Sequence, residues 1–207
     1  MALPEFQISS AISRTRKVFV ILGQLSSTPR DKHMAKHYED WHTLFPNSGK
    51  GKEFPWMWDV LMRLQPKTVL DYGCGKGGTA DYLESKIQCK IDRYDPGYAP
   101  YSVKPTQQYE LVYSTDVFEH IEREDIPATL EYINTLATQY TAHIIDLDPA
   151  RKKLPDGRNA HVTLLTPDEW LAELEPYGEV VQYEVRGYED KYLPQRTRLH
   201  VICLAHS

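Results

Sequence analysis

The chain has 207 residues, 41% hydrophobic and 26% charged, with a formal net charge of −5. That length and composition fit one soluble domain with a full core, and the acidic balance argues against a duplex nucleic-acid grip, which needs clustered Lys and Arg. No stretch reaches the ~18–20 apolar residues of a membrane span. The cysteines, Cys74, Cys89 and Cys203, form neither a zinc spacing nor a disulfide framework, which points to a reducing, cytoplasmic setting.

Residues 1–33 read as an N-terminal extension in which Val18 to Leu22 is either an extra strand or part of a loose arm. Residues 35–42 read as a short helix, followed by a turn-rich loop over 46–52. Phe54, Trp56, Met57, Val60, Leu61 and Leu64 recur at helical spacing, with Pro55 suited to a first turn and Pro66 closing the helix. Residues 34–65 therefore read as a short helix, a loop and a first long helix, and residues 66–207 as the core. In that core, strands are expected at 67–71, 89–94, 109–114 and 143–147. Helices are expected at 79–86 and at about 124–139. A mostly loop stretch over 148–165 contains the Asp156-Gly157 turn. Thr166-Pro167-Asp168-Glu169 has the pattern of a capping box opening a helix. Residues 179–185 and 198–205 alternate as a final antiparallel pair. This order predicts an α/β fold: a doubly wound, mostly parallel sheet with a C-terminal antiparallel strand pair.

The most informative stretch is Val69-Leu70-Asp71-Tyr72-Gly73-Cys74-Gly75-Lys76-Gly77-Gly78, a buried strand running into closely spaced glycines. Glycine lets a backbone approach a ligand without a Cβ in the way, and a ligand on such a turn also meets the following helix. Asp95 lies 24 residues after Asp71, at the end of the second strand. An acid there reaches ribose hydroxyls in nucleoside-binding sheets. Gly73, Gly75 and Gly78 also satisfy Gly-x-Gly-x-x-Gly, so the glycines alone leave a nicotinamide dehydrogenase open.

Three stretches together resemble the class I S-adenosylmethionine-dependent methyltransferases: residues 69–77, Tyr94-Asp95-Pro96, and Leu111 through Asp116-Val117-Phe118-Glu119-His120-Ile121. The resemblance implies a Rossmann-like fold and S-adenosylmethionine as cofactor. It implies that Gly73, Cys74, Gly75 and Gly77 line the methionine and ribose part. Asp71 would order the turn and act on the amino group, Asp95 with Pro96 would take the ribose, and Asp116 with Val117 would border the transferable methyl. One departure is plain. Only 13 residues separate Asp95 from Tyr109, too few for the usual helix and third strand. The sheet is expected to be shortened there, and Tyr98 or Tyr101 is left to face the adenine. Residues 154–161, Leu-Pro-Asp-Gly-Arg-Asn-Ala-His, are similar to a narrower group of phage and bacterial methyltransferase-like proteins whose substrates are mostly unassigned.

Methyl transfer needs alignment first and a base only if the acceptor keeps its proton until attack. Candidates at the carboxyl ends of the strands are Glu119, His120, Asp146, Asp148, Arg158, Asn159 and His161. His161, His120 and Asp146 are the catalytic candidates. The resemblance implies a helical lid over residues 34–52; Arg158 and Asn159, with Trp41 and His42 on that lid, are the substrate-binding candidates. Each has a plainer alternative: a loop-pinning histidine, a surface ion pair, a core tryptophan. Asp146 and Asp148 lack a third ligand at diagnostic spacing, so no metal is expected. No Asn/Asp-Pro-Pro-Tyr/Phe stretch and no Pro-Cys nucleophile is present, which favours a small polar acceptor, a nucleotide or sugar among the candidates, over a polymer. The competing classes are a binding protein that keeps the pocket without catalysis and an enzyme using the same cofactor for another reaction.

Overall fold

The computed structural model describes residues 51–189 and 196–206. The N-terminal extension, most of the expected lid, and Trp41 and His42 lie outside the described residues.

Helix α1 (Pro55–Leu64) starts with its proline in the first turn and buries Trp56, Met57, Val60 and Leu61. It stops at Gln65, whose left-handed backbone (φ 48°) turns the chain, and Pro66 could not continue it. Strand β1 (Val69–Tyr72) is buried at every position, as a central parallel strand must be. The glycine turn leads into α2 (Gly78–Glu84), then β2 (Ile91–Tyr94) and β3 (Tyr109–Thr115). Between β2 and β3 there is only a single 3-10 turn, Ala99–Tyr101, so the shortening expected from the residue count is present and β2 is left at the sheet edge.

After β3 come α3 (Ile126–Leu136), β4 (Ala137–Asp146), α4 (Pro167–Leu174), β5 (Gly178–Tyr188) and β6 (Arg196–Ala205). The helix expected to reach residue 139 stops at Leu136, and the strand expected at 143 begins at Ala137. Thr138, Tyr140 and Thr141 favour an extended backbone, and β4 pairs with β3 from Ala137 and with β6 from Tyr140. Tertiary pairing overrides the helical pattern there. Thr166 and Glu169 make the reciprocal capping box that their spacing predicts.

The sheet order is β2-β1-β3-β4-β6-β5. The strands from β2 to β4 are parallel, and β6 joins β4 and β5 antiparallel. One face carries α3 and α4 over Leu70, Val112, Ile133, Trp170 and Val201. The other carries α1 and α2 over Met57, Val60, Leu83, Leu111 and Ile144. Among the described residues no helix is long and apolar enough to cross a membrane. The chain leaves β1 toward β2 on one side and returns to β3 on the other. The carboxyl ends of β1 and β3 therefore flank the point where the winding reverses, which is where open α/β sheets place ligands.

Candidate functional site

The glycine turn is held from two sides. The N–H groups of Gly73 and Cys74 both donate to the Tyr94 carbonyl at 2.8 and 3.1 Å. The Asp95 carboxylate accepts from Gly75 N–H at 2.7 Å and from Gly97 N–H at 2.9 Å. Asp95 thus ties the turn after β1 to the turn that Pro96 opens after β2. Gly73 has φ +77°, and a Cβ there would lie 2.5 Å from Val117 Cγ2. The turn after β1 therefore touches the turn after β3 at the switch point, where open α/β sheets form their ligand crevice. Gly73→Ala is expected to cost about 1–3 kcal/mol from the left-handed backbone alone, read as a fall in the urea midpoint; an unchanged midpoint would show that the two turns can separate freely. Cys74 contributes its backbone. Its thiol is buried, contacts the Gly75 carbonyl at 3.6 Å, and is pushed up by burial. Tyr98 and Tyr101 pack on each other at 5.8 Å between ring centroids beside this turn, and Tyr101 O accepts from Asp95 N–H.

Asp71 is 1% exposed, and its two oxygens accept no hydrogen bond of good geometry among the described residues. Burial pushes its carboxyl up to about 7, opposed by the Tyr113 hydroxyl, which faces it from the paired position on β3. A buried carboxyl faced by little more than a hydroxyl is costly, and its place beside the turn suits a further polar group.

Asp116 follows β3 in a left-handed conformation, φ 53°, uncommon outside glycine. Its Oδ2 accepts from Lys52 Nζ at 2.8 Å and from Arg198 at 2.9 Å. Burial alone would raise the carboxyl, but these two cations hold it below the usual range. Lys52 arrives on a segment pressed against the start of α2: a Cβ on Gly51 would stand 2.1 Å from the Thr79 nitrogen. Residues 51–52 thus cover the helix start that the sequence pattern leaves open to a ligand.

Beyond Asp116 lies a second polar group. Glu119 is fully buried, and neither carboxyl oxygen has a hydrogen-bond partner among the described residues. Burial and then the nearby Asp116 charge raise it well above the carboxylate range. His120 Nδ1 lies 2.9 Å from the Ala160 carbonyl, and His161 Nδ1 lies 2.6 Å from the Asp148 carbonyl. A carbonyl can only accept, so each imidazole carries its proton on Nδ1 when neutral and presents a lone pair at Nε2. Burial pushes His120 down to about 4 and lowers His161, so both are neutral at pH 7. Their rings meet edge to face at 4.8 Å.

The other candidates are engaged by neighbouring groups. Asp146, expected at the reacting centre, has both oxygens engaged. Oδ1 accepts from Arg196 at 2.8 Å and from Asp148 N–H, and Oδ2 accepts from the Tyr188 hydroxyl at 2.7 Å. Arg158, expected to clamp an acceptor, lies on the surface between Asp156 and Glu122. Asn159 is consumed by the loop: Oδ1 accepts from Ala150 and His161 N–H, and Nδ2 donates to the Ala150 carbonyl. The long loop is thus pinned so that His161 faces His120.

Lys52, Tyr188, Arg196 and Arg198 belong to the site although no motif marks them. The available signal was Arg196-Thr197-Arg198 in an alternating strand, which puts both guanidinium groups on one face. Arg198 also lies over the Tyr188 ring at 3.9 Å.

Comparison with known proteins agrees with this architecture. A family model described as a methyltransferase domain matches residues 57–183. No curated protein matches the chain. Among solved structures, 1,6-didemethyltoxoflavin-N1-methyltransferase from Burkholderia thailandensis, with bound 1,6-didemethyltoxoflavin and S-adenosylhomocysteine, is similar with a TM-score of 0.58 at 14% identity, covering 90% of this chain and 94% of that one. Magnesium protoporphyrin IX methyltransferase from Synechocystis PCC 6803, with bound S-adenosylmethionine, is similar with a TM-score of 0.55 at 12% identity over 85% and 98%. TehB from Haemophilus influenzae has a TM-score of 0.58 at 15% identity over 82% and 67%. At these identities the likeness is one of fold. The family model spans more than half of the chain, and with the glycine turn, the acid after β2 and the switch-point cleft now described, this protein belongs to the methyltransferase domain family.

Proposed function

We propose that this chain is an S-adenosylmethionine-dependent methyltransferase acting on a small polar acceptor, a nucleotide or sugar among the candidates. The observation that carries the reading is the lock between Asp95 and the glycine turn. That lock holds the Asp95 carboxylate at the carboxyl end of β2, where an acid reaches a ribose diol. Gly73, Cys74, Gly75 and Gly77 offer backbone at the floor of the cleft, and the orphaned Asp71 carboxyl supplies a site for the donor's amino group. Pro96 shapes the ribose end, while Asp116 and Val117 border the methyl end.

Held by Asp71, Asp95 and the glycine turn, the cofactor would supply an electrophilic methyl for an acceptor's electron pair. The protein's part is alignment and exclusion of water. His161 and His120 present neutral Nε2 lone pairs on the acceptor side, suited to taking a proton or orienting a donor group. Asp146 acts through Arg196 and Tyr188 as a positioning residue. The loop that carries the narrower likeness, residues 154–161, contributes His161 to this centre.

Calorimetry with S-adenosylmethionine, S-adenosylhomocysteine and NAD tests the reading. Both sulfur compounds are expected to bind and NAD to fail. Asp95→Asn is expected to weaken S-adenosylhomocysteine binding at least tenfold. Binding of NAD alone, or unchanged affinity in Asp95→Asn, would sink the reading. Binding without turnover over a panel of small acceptors would leave a pocket protein.

A further inference from the structure

Burying a carboxyl with no partner on either oxygen is among the most costly arrangements a fold can hold. Glu119 is in that position, 0% exposed. Beside it stand two imidazoles whose Nδ1–H groups are fixed on backbone carbonyls, Ala160 for His120 and Asp148 for His161. A histidine that ligates a metal through one nitrogen nearly always donates from the other in this way, which fixes tautomer and ring direction. One ligand atom from each of Glu119, His120 and His161 lies within 4.8 Å of the others. Around one cation with bonds of about 2.1 Å, three donors sit about 3.0–3.6 Å apart, so side-chain rotations that draw the three atoms together would close the set.

We infer that Glu119, His120 and His161 form a binding site for a divalent first-row transition cation at the acceptor side of the cleft. The neighbouring acids sharpen the assignment. Asp116, Glu119 and Asp146 also bring carboxylate oxygens within 4.8 Å of one another. Asp146, however, has both oxygens satisfied by Arg196, the Asp148 N–H and Tyr188. Asp116 Oδ2 already serves Lys52 and Arg198, and only its buried Oδ1 has no partner. Glu119 is therefore the carboxylate left to neutralise a cation, with Asp116 Oδ1 next in line. Two nitrogens and one oxygen suit Mn, Fe, Co or Zn better than Mg or Ca, which take oxygen sets. Three protein ligands leave coordination positions open. With the cation bound, the two Nε2 lone pairs ligate it instead of taking a proton, and the open positions hold an acceptor hydroxyl or carboxylate and make a hydroxyl more acidic; that use rests on the methyl-transfer reading, whereas the cation site itself does not. Sequence spacing hides the site because residue 161 reaches residues 119 and 120 only through the pinned loop.

Manganese is the probe. Tag-free full-length protein, stripped with chelator, is titrated with Mn2+ and followed by electron paramagnetic resonance. One site per chain is expected, and pulsed spectra should show 14N modulation from imidazole. His120→Ala, His161→Ala and Glu119→Gln are each expected to weaken Mn2+ binding at least tenfold, and the two histidine variants to reduce the modulation. S-adenosylhomocysteine binding, measured on the same variants, should change little. The wild-type spectra remain decisive if a variant does not fold. Absence of saturable Mn2+ and Zn2+ binding, binding without 14N modulation, or unchanged affinity in His161→Ala would overturn the site. Loss of S-adenosylhomocysteine binding beside intact nitrogen-ligated Mn2+ would count against the methyl-donor reading and leave the cation site standing.

Discussion

Asp146→Ala is expected to lower the unfolding free energy by about 3–5 kcal/mol, read from urea titration of the purified variant. Asp146 is 3% exposed and Arg196 5% exposed, and they meet at 2.8 Å. Removing the carboxylate leaves the guanidinium buried, with the Pro149 and Asp148 carbonyls as its acceptors among the described residues. It also strands the Tyr188 hydroxyl, which donates to the same group. The penalty comes from the uncompensated charge rather than from the net worth of the pair, since a buried pair replaced as a whole often costs little. Asp146→Leu with Arg196→Met is therefore expected to recover most of the loss. A single-variant cost below about 1 kcal/mol would mean that water reaches the pair as it does at the surface. The same measurement separates two roles: a positioning residue loses stability and activity together, whereas a proton-transfer residue would lose activity on an intact fold.

That pair also shows where the sequence is readable and where it is not. The strand into Gly73-Cys74-Gly75, the acid at Asp95 and the short span before Tyr109 are local signals, and each corresponds to a local structural fact: a tight turn, a carboxylate one turn away, a missing strand. The C-terminal strand pair is legible for the same reason, because alternation is written along one strand. The acceptor side is not. Its members come from residue 52, from 116 to 120, from 161 and from 188, 196 and 198, brought together by strand register and by a loop that Asn159 pins. Arg158 and Asn159 look like substrate contacts in the sequence because polar residues crowd a long loop. The structure spends Arg158 on Asp156 and Glu122 and Asn159 on the loop's own backbone. Asp116 is the reverse case: its motif position is legible, but the two cations that hold it ionised are distant in sequence and carry no motif.

Asp71→Asn is expected to stabilise the unliganded protein, and increasingly so as pH rises. The folded state holds the Asp71 carboxyl near 7, against an ordinary value of 3.8. Below pH 3.8 the residue is protonated in both states and carries no penalty. Between there and about pH 7 the unfolded chain has lost its proton while the folded one keeps it, so stability falls as pH rises. Above about pH 7 the carboxylate is ionised in its burial and the penalty is complete. One pK unit corresponds to about 1.4 kcal/mol, so the gap between variant and parent should widen by about 4 kcal/mol from pH 4 to pH 8, measured by urea unfolding at each pH. Parallel stability curves would show that the charge is not the cost. A group that destabilises the empty fold at working pH, beside a backbone turn kept open by Gly73, is what a cationic ligand would relieve. The variant should therefore gain stability and lose affinity for S-adenosylhomocysteine together, with the affinity loss greatest above pH 7, where the parent's carboxylate is charged.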